Sequence, residues 1–474
     1  MRAAFALLLL ASCGPRPSPS VAIGAPVAEV SERFLSLAID LAQVVGGHFW
    51  NPSGEIESGA GTLKIDPYDF SRPQVRAWAK ELAPAFLRLG GSEADLVFYD
   101  LDGSEGPPSG YRSVLRRKQW DDAHAFARDL GFSIIFTLNA GPGPRDAEGR
   151  WVGDNARTLL TTGKPVALWE LGNEINGFQA IHGAGFRVDG AQYADDVARA
   201  RSVLDEALPG ARLGGPSSAF WPVVGEMAPV MPEFMPRGGK HLDVVAWHYY
   251  PQQSRRCPMR LRLAGPEVML EPKNLDEAAR WAAHVEALAS AHAPNVETWL
   301  AETGNAQCGG EPGVSDRFVG SLWWLDQLGQ MARRGQKVVV RQTLSGSDYG
   351  LLDESTLEPR PDYWASVLWK RLMGTRALSV TSADLQLRAY AHCTRGRSGA
   401  ATLLAINLGR DEVALPFAGA AYVVTAEALD SRGVKLNGAD LTALDQLEPR
   451  AVQSLAIPAR SYAFVVIPEE KCSQ

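Results

Sequence analysis

Two glutamates in this chain each follow a short apolar run, which is where a sugar-cleaving enzyme would carry its acid and its base. Glu174 ends the segment Trp169–Glu174, which comes after the apolar run Pro165–Leu168. Glu302 lies in Trp299–Thr303, again directly after apolar residues. Glycoside hydrolysis uses two carboxyl groups: one protonates the leaving oxygen, and the other attacks the sugar or activates water. Glu174 and Glu302 are therefore the candidate catalytic pair.

One Asn-Glu pair is a weak signal by itself, because a glutamate after a strand is more often only a charge at the start of a helix. The elements around the pair strengthen the interpretation. Eight short apolar runs alternate with amphipathic stretches, which indicates strands and helices in turn. The predicted strands are Phe34–Leu41, Phe86–Gly90, Ser133–Ala140, Val166–Glu174, Arg212–Pro216, Leu242–Tyr250, Glu297–Thr303 and Lys337–Leu344. The predicted helices include Gln74–Leu82, Trp120–Leu130, Gln192–Leu208, Leu275–Ala291 and Phe318–Arg334. Eight strand–helix units predict an α/β fold, a closed (β/α)₈ TIM barrel.

The pattern changes after Gly374, where strands follow one another across short turns. The predicted strands there are Leu385–His392, Ala401–Asn407, Ala420–Leu429 and Ala451–Ile467. Such a run indicates a small all-β domain, which we expect to be a β-sandwich. We assign residues 30–374 to the catalytic barrel and 375–474 to the sandwich, and expect Val21–Val30 to supply a further strand that can join the sandwich.

The N-terminus reads as an export signal. Arg2 precedes the apolar stretch Ala3–Leu10, and Leu10–Cys13 resembles a bacterial lipobox, whose cysteine is lipidated. We therefore predict a lipoprotein-type signal peptide over residues 1–12, lipidation of Cys13, and a Pro-rich tether within residues 13–29. The protein would be anchored by lipid to a bacterial membrane, at the periplasmic face or the cell surface, or secreted if this is a plain signal peptide.

Composition narrows the function classes. The chain has 474 residues, more than the roughly 250–300 that one core supports. Its net charge of −7 argues against a nucleic-acid binder. There is no Cys-x-x-Cys motif and the eight histidines are scattered, so we expect neither a metal site nor a cofactor. Setting Cys13 aside, the cysteines that remain allow three disulfide pairings, and export makes disulfides feasible. The residues remaining are Cys257, Cys308, Cys393 and Cys472.

Function in such a barrel lies at the C-terminal ends of the strands, where polar residues collect. Arg88 and a tyrosine hydroxyl are expected to keep Glu302 ionised, while Glu174 needs a partly desolvated pocket that raises its pKa. His248 and Tyr250 stand at i and i+2, on one side of an extended strand, so Tyr250 is expected to reach Glu302. Asn173 is the candidate contact for a sugar 2-hydroxyl.

Several motifs, in order, resemble the heparanase family, glycoside hydrolase family 79. They are Phe86–Asp95, Trp169–Glu174, Trp299–Thr303, Trp323–Gly329, Val340–Gln342, Tyr349–Asp353, Pro361–Trp364 and Ala405–Leu408. The resemblance implies a retaining β-glucuronidase on a (β/α)₈ barrel with a β-sandwich, with Glu174 as acid/base and Glu302 as nucleophile. It implies a sugar-hydroxyl contact at Asp40, and Ser92, inside the first motif, is a further candidate for substrate binding.

The resemblance also implies a receptor for the uronate carboxylate, made by Tyr349 and the backbone N–H groups of Gln307, Cys308 and Gly309. The family has Tyr-Gly-Gly where this chain has Gln307-Cys308-Gly309. A family bond implies the disulfide Cys393–Cys472. Once Cys393 and Cys472 are paired, only Cys257 and Cys308 remain. Both are expected in loops just past the neighbouring strands six and seven, so we predict the disulfide Cys257–Cys308.

Basic residues after the sixth strand suggest how a polymer would be held. Arg255 and Arg256 follow that strand on the mouth side, and guanidinium groups bind sulfate and carboxylate bidentately. The other interpretation is an ordinary solvated loop. We expect a monomer that cleaves β-glucuronide linkages within a heparan sulfate-like polysaccharide. The alternatives are an exo-β-glucuronidase that releases terminal glucuronate, and a non-catalytic uronic-acid-binding surface lipoprotein.

Overall fold

The computed structural model describes residues 20–51 and 61–473. The predicted signal peptide, Cys13 and the tether up to residue 19 lie outside the described residues. Within the described part, no helix combines the length and the apolar character needed to cross a membrane.

Eight parallel strands form a closed barrel, as predicted. With the N-terminal strand β1 (Val21–Glu29) counted first, the barrel strands are β2 (Leu35–Asp40), β3 (Ala85–Gly90), β4 (Phe132–Leu138), β5 (Leu168–Leu171), β6 (Leu213–Trp221), β7 (Val244–Tyr249), β8 (Glu297–Thr303) and β9 (Val339–Arg341). Strand β9 pairs with β2, Val339 opposite Leu35, and β5 pairs with β6, Trp169 opposite Leu213. These pairings join the first and last strands and complete the circle.

Helices surround the barrel and follow its strands. They are α1 (Leu41–Val45), α2 (Pro73–Lys80), α3 (Arg117–Leu130), α4 (Asp154–Leu160), α5 (Phe178–His182), α6 (Gly190–Ala207), α7 (Met231–Gly238), α8 (Pro266–Met269), α9 (Pro272–Leu275), α10 (Glu277–His292), α11 (Phe318–Arg334) and α12 (Pro361–Leu372). The short extra strands in the barrel loops are His48–Trp50, Thr62–Lys64, Val97–Tyr99, Ser113–Leu115 and Gly225–Glu226.

The barrel interior changes from apolar to polar along each strand. Its lower part is a buried cluster of aliphatic side chains and one tryptophan, and it includes Ala38, Ile135, Leu168, Ala246 and Trp299. Because side chains alternate across a strand, the next inward positions are two residues later. These are Arg88, Thr137, Glu170 and His248, all fully buried. The alternation of side chains along each strand therefore places a layer of polar residues directly above the apolar cluster.

Strand β6 continues five residues beyond the predicted end at Pro216 and carries a bulge. Ser217 has a φ of 52° and the register with β7 shifts between Pro216 and Ser218. Bulges are frequent beside active sites because they re-aim a strand. Here the bulge presents the Ser217 carbonyl to the backbone N–H of Glu174, at 3.0 Å.

The C-terminal part is a nine-stranded sheet whose core strands are antiparallel. Its main strands are β10 (Met373–Ser382), β11 (Leu387–Thr394), β12 (Ala400–Asn407), β13 (Gly419–Thr425) and β14 (Ser461–Pro468), with β1 pairing along the edge of β10. Shorter segments complete it, and a two-stranded sheet packs over its outer face to enclose a second apolar core. The shorter strands are Val413–Leu415, Lys435–Leu436, Ala439–Asp440, Arg450–Val452 and Leu455–Ile457.

The predicted single strand Ala451–Ile467 is three strands in the structure. Breaks fall at residues 453–454 and 458–460, where Pro458 has no N–H to pair and Arg460 has a φ of 50°. The other face of the large sheet packs on the barrel helices. Tyr390 lies against Gly329 of α11, where a Cβ would meet its ring at 2.2 Å, and its hydroxyl donates to Asp326 at 2.6 Å.

Both predicted disulfides are present. Cys393–Cys472 joins β11 to the C-terminal segment, and Cys257–Cys308 joins the loops after β7 and β8. The first therefore closes the sandwich, while the second lies at the mouth of the barrel.

Candidate active site

Arg88 is the hub of the barrel mouth. Its side chain is fully buried on β3 and donates in three directions: Nε to Glu170 Oε2 at 2.7 Å, Nη1 to Glu302 Oε2 at 2.7 Å, and Nη2 to Asn173 Oδ1 at 2.9 Å. A guanidinium has fixed donor directions, so these bonds fix the positions of its partners relative to one another. The nearby carboxylates keep the pKa of Arg88 above its ordinary value, despite burial.

The carboxyl group of Glu302 accepts hydrogen bonds from two sides. Its Oε2 accepts from Arg88 and its Oε1 accepts from the Tyr250 hydroxyl at 2.8 Å. Its side chain is 9% exposed, so one edge remains open to the mouth. Charge-assisted bonds of this kind favour the ionised carboxylate.

Glu174 has a very different environment. It follows β5 in a left-handed conformation with a φ of 52°, and its side chain is 15% exposed. The polar neighbour of its carboxyl group is His248, whose Nδ1 lies 3.3 Å from Oε1. Burial raises the pKa of Glu174 to about 7, although the positive charge of Arg88 opposes the rise. The group is therefore partly protonated near neutral pH.

His248 is a neutral neighbour of Glu174. Burial lowers the pKa of its imidazole to about 4, so the ring is uncharged at neutral pH. Its Nε2 is buried and has no hydrogen-bond partner among the described residues. A neutral imidazole does not stabilise the anion of Glu174 as a cation would, which is consistent with the raised pKa.

The two carboxyl groups are close together. One oxygen of Glu174, one oxygen of Glu302 and a nitrogen of His248 all lie within 4.8 Å of one another. This trio is also the group in the described residues whose ligand atoms are spaced for a metal ion. Arg88 supplies a positive charge to Glu302 at 2.7 Å, and the same guanidinium is shared with Glu170.

The side chain of Asn173 is oriented by hydrogen bonds to its amide oxygen. Its Oδ1 accepts from Arg88 and from the Gly91 N–H, and its own backbone N–H donates to Asp95. No hydrogen bond from its amide nitrogen to another described residue accompanies these, and the residue as a whole is buried. Gly91 must be a glycine, because a Cβ there would lie 2.0 Å from Asp40 Oδ2.

Asp40 and Tyr349 form the side of the mouth opposite Glu174. Asp40 caps α1 by accepting from the Ala42 N–H and takes a bond from Gln342 Nε2 at 3.1 Å, and burial raises its pKa to about 7. Tyr349 packs with Tyr250 in a small buried cluster. Ser92, by contrast, is an exposed residue at the start of a short 3₁₀ turn.

The loop of residues 307–311 brings backbone donors beside Tyr349. Cys308, Gly309 and Gly310 have φ values of 61°, 83° and 84°. The Gly309 carbonyl accepts from the Tyr349 N–H at 3.2 Å. The N–H groups of residues 308–310 donate to no acceptor in the described part of the chain. Successive N–H groups in such turns form concavities that bind anions.

The two arginines after β7 differ from the expected sulfate-binding pair. Arg256 has a side chain only 1% exposed and donates to Asp348 Oδ2 at 2.5 Å and to the Gly310 carbonyl at 2.6 Å. Arg255 is 61% exposed but is paired with Glu311. The expectation that both contact the polymer is wrong for Arg256, because a guanidinium buried in an ion pair cannot reach a sulfate outside. Gln307, half-buried, accepts from Gln253 at 3.4 Å.

Glu170 was not singled out from the sequence, yet it anchors the site. It is fully buried, and its Oε2 accepts from both Arg88 and Thr137. A signal for it existed: a charged residue in the middle of a buried strand needs a buried partner of opposite charge. Asp95 was missed likewise; it accepts from the Asn173 and Ala140 N–H groups.

Comparisons with known proteins agree with this architecture. The family model of the N-terminal domain of glycosyl hydrolase family 79 matches residues 60–329. Heparanase of Gallus gallus is 30% identical over 98% of this chain and 98% of its own length, and heparanase-like protein 1 of Arabidopsis thaliana is 33% identical over 81% of this chain and 71% of its own. Among solved structures, a GH51 arabinofuranosidase from Xanthomonas axonopodis pv. citri superposes with a TM-score of 0.66 at 14% identity, covering 95% of this chain and all of that one. At that identity the likeness shows the fold.

Proposed function

We propose that this chain, which belongs to glycosyl hydrolase family 79 and is a glycosidase, cleaves β-glucuronides with retention of configuration. The observation that carries the proposal is the pair Glu174 and Glu302, with oxygens within 4.8 Å of each other and opposite environments. Retaining enzymes hold their carboxyl groups about 5–5.5 Å apart, whereas inverting enzymes need roughly 6.5–9.5 Å to admit a water.

Each carboxyl group suits one role. Glu302, bound by Arg88 and Tyr250, attacks the anomeric carbon and forms a covalent glycosyl ester as the glycosidic bond breaks. Glu174, with its pKa raised to about 7, gives its proton to the departing oxygen. In the second step Glu174 takes a proton from the water that attacks the anomeric carbon, which releases the sugar and restores the Glu302 carboxylate.

Recognition of the uronate falls to groups that have no partner in the described residues. The N–H groups of residues 308–310 lie beside Tyr349, and they would donate to the sugar carboxylate. The free amide nitrogen of Asn173 would donate to the 2-hydroxyl, a bond that strengthens in the transition state. Asp40 would accept from another sugar hydroxyl.

For the substrate, we propose internal cleavage of a heparan sulfate-like polysaccharide. The support is the kinship with a protein named heparanase and the exposed Arg255 at the rim. A second candidate is exo-action on terminal glucuronate. It is favoured by Arg256 and Arg255, because both are paired with acids of the protein itself, which leaves little free positive charge for sulfates.

The test combines two measurements on the intact protein. A 2-deoxy-2-fluoro-β-glucuronyl fluoride should inactivate the enzyme and leave one sugar ester on Glu302, found by peptide mass spectrometry, and the first sugar released from an aryl β-glucuronide should be the β-anomer by NMR. A first-formed α-anomer would reject retention, and no turnover or labelling would favour a binding protein. Shortening of heparan sulfate chains supports endo-action, while release of glucuronate alone supports exo-action.

A further inference from the structure

A strap of residues 252–257, which follows β7, lies along the glycine loop of residues 307–311. The Gln307 N–H donates to the Gln252 carbonyl at 2.9 Å, and the Ser254 N–H donates to the Gln307 carbonyl at 3.3 Å. Further along, Glu311 Oε2 accepts from the Ser254 hydroxyl at 2.9 Å and from the Arg255 N–H at 2.8 Å. The strap therefore contacts both ends of the glycine loop.

The glycine loop has a backbone that needs such support. Three successive residues have positive φ, and one of them, Cys308, is not a glycine. A Cβ at Gly309 would lie 2.5 Å from Trp50 Cβ, and one at Gly310 would lie 2.8 Å from the Tyr349 nitrogen. Conformations of this kind persist only when the surrounding structure fixes them. The backbone of residues 308–310, whose N–H groups have no acceptor among the described residues, therefore depends on its neighbours to keep this conformation.

Two fasteners hold the middle of the loop to the strap. The first is the disulfide Cys257–Cys308, which bonds the first of the three positive-φ residues. The second is buried Arg256, which donates to the Gly310 carbonyl at 2.6 Å and to Asp348 at 2.5 Å. Asp348 directly precedes Tyr349, so one guanidinium links the loops that follow β7, β8 and β9.

We infer that the Cys257–Cys308 disulfide and Arg256 are positioning elements that set the preference for a carboxylated sugar, by fixing the glycine loop and Tyr349 against each other. This inference rests on the proposed β-glucuronidase function. The fasteners bond the loop and Asp348, whereas Glu302 is bound by Arg88 and Tyr250, and Glu174 lies against His248. Their loss therefore weakens recognition of the carboxylate and leaves the reacting carboxyl groups in place.

The experiment compares two substrates that differ only at C6, an aryl β-glucuronide and the aryl β-glucoside with the same activated leaving group. The variants are Cys257→Ser with Cys308→Ser, and Arg256→Lys. In each, KM for the glucuronide is expected to rise about 10- to 100-fold, the value of a charge-assisted bond or two. The kcat/KM for the glucoside should stay within about twofold, and Arg256→Lys, which keeps the charge, should lose less than Arg256→Met.

The matched control is Cys393→Ser with Cys472→Ser, which removes the sandwich disulfide and should leave the ratio of the two substrates unchanged. If the strap variants lost both activities equally, or lost neither, the positioning role would be overturned. Should the double serine variant fail to fold, Asp348→Ala removes the acceptor of Arg256 from the other side and is judged by the same ratio. A wild-type protein that does not prefer the glucuronide refutes the proposed function itself, before any variant is compared.

Discussion

The two sides of the barrel mouth each carry a glutamate, but the two glutamates have opposite environments. On the β8 side, Glu302 accepts from Arg88 at 2.7 Å and from Tyr250 at 2.8 Å. On the β5 side, Glu174 lies against a neutral imidazole at 3.3 Å. One carboxyl group accepts from a guanidinium and a hydroxyl, and the other lacks such donors and has its pKa raised to about 7 by burial.

The difference shows that environment and not residue identity assigns the roles. Both groups lie at the same mouth, so the decisive feature is where the buried guanidinium of Arg88 points. Arg88 donates to Glu302 and Glu170 directly but reaches Glu174 only through space, and the pKa of Glu174 stays at about 7. Reversing the roles would require moving that guanidinium across the mouth.

The strongest way to break the comparison is Glu302→Gln. The amide cannot form the covalent ester, so turnover of an aryl β-glucuronide should fall by roughly 10⁶-fold, the order found for loss of an enzymic nucleophile. The matched control is Glu297→Gln at the other end of β8, a partly exposed residue paired with Arg212, and it should change the rate little. Steady-state kinetics measure both, and near-normal turnover in Glu302→Gln would reject the assignment.

On the other side, Glu174→Ala should be less damaging and more selective. The loss on a glycoside with a poor leaving group should be about 10²- to 10⁴-fold, the contribution of general acid–base catalysis. With a dinitrophenyl leaving group the first step should survive, so the glycosyl enzyme accumulates and added azide restores turnover. Identical losses for both leaving groups, or no response to azide, would contradict the acid/base role.

Tyr250→Phe tests how much the second hydrogen bond to Glu302 contributes to the difference between the two glutamates. It removes a hydroxyl bond to Glu302, and hydrogen bonds to charged groups contribute about 1.5–3 kcal/mol, so kcat/KM should fall roughly 10- to 100-fold. Tyr249→Phe is the matched control, because that hydroxyl points to Glu277 at 3.3 Å, away from the mouth. Equal effects in the two variants would mean that the loss is structural.

The smallest expected effect is on the pH profile. The acid must hold its proton, so kcat for a poor leaving group should fall as pH rises through about 7, the pKa of Glu174. A good leaving group needs little protonation, so kcat for such a substrate should not fall as the pH rises through about 7. Asp40 also has a pKa raised to about 7, so Glu174→Gln is the deciding variant: if the fall in kcat survives there, Asp40 rather than Glu174 causes it.

Local periodicity was enough to predict the barrel. Each barrel strand is a short apolar run between amphipathic stretches, and all the predicted strands overlap the observed ones. The bulge at Ser217 escaped prediction because it depends on which strand lies alongside. The break around Pro458 was also missed, although the proline is a local signal for it. A boundary set by pairing cannot be read from one segment.

The same distinction applies to the site. The i, i+2 spacing of His248 and Tyr250 predicted one shared side, and the structure has Tyr250 on Glu302 and His248 on Glu174. The burial of Arg256 could not be predicted, because its partner Asp348 lies 92 positions further along the chain. Glu170 is different, because its position within β5 carried a usable signal that was overlooked, whereas nothing near Arg256 in the chain indicates Asp348.

The placement of β1 bears on how this chain is made. Val21 pairs with Ser382, so the first strand leaves the ribosome long before its partner exists, by tens of seconds at roughly 5–20 residues per second. An unpaired strand waiting that long invites aggregation. β1 is poorly suited to such association: it contains Pro26, has no buried residue, and changes register on both sides of that proline. The proline, the exposure and the irregular register make β1 a weakly paired strand in the folded sheet. The same features lower the tendency of the nascent chain to aggregate through this strand.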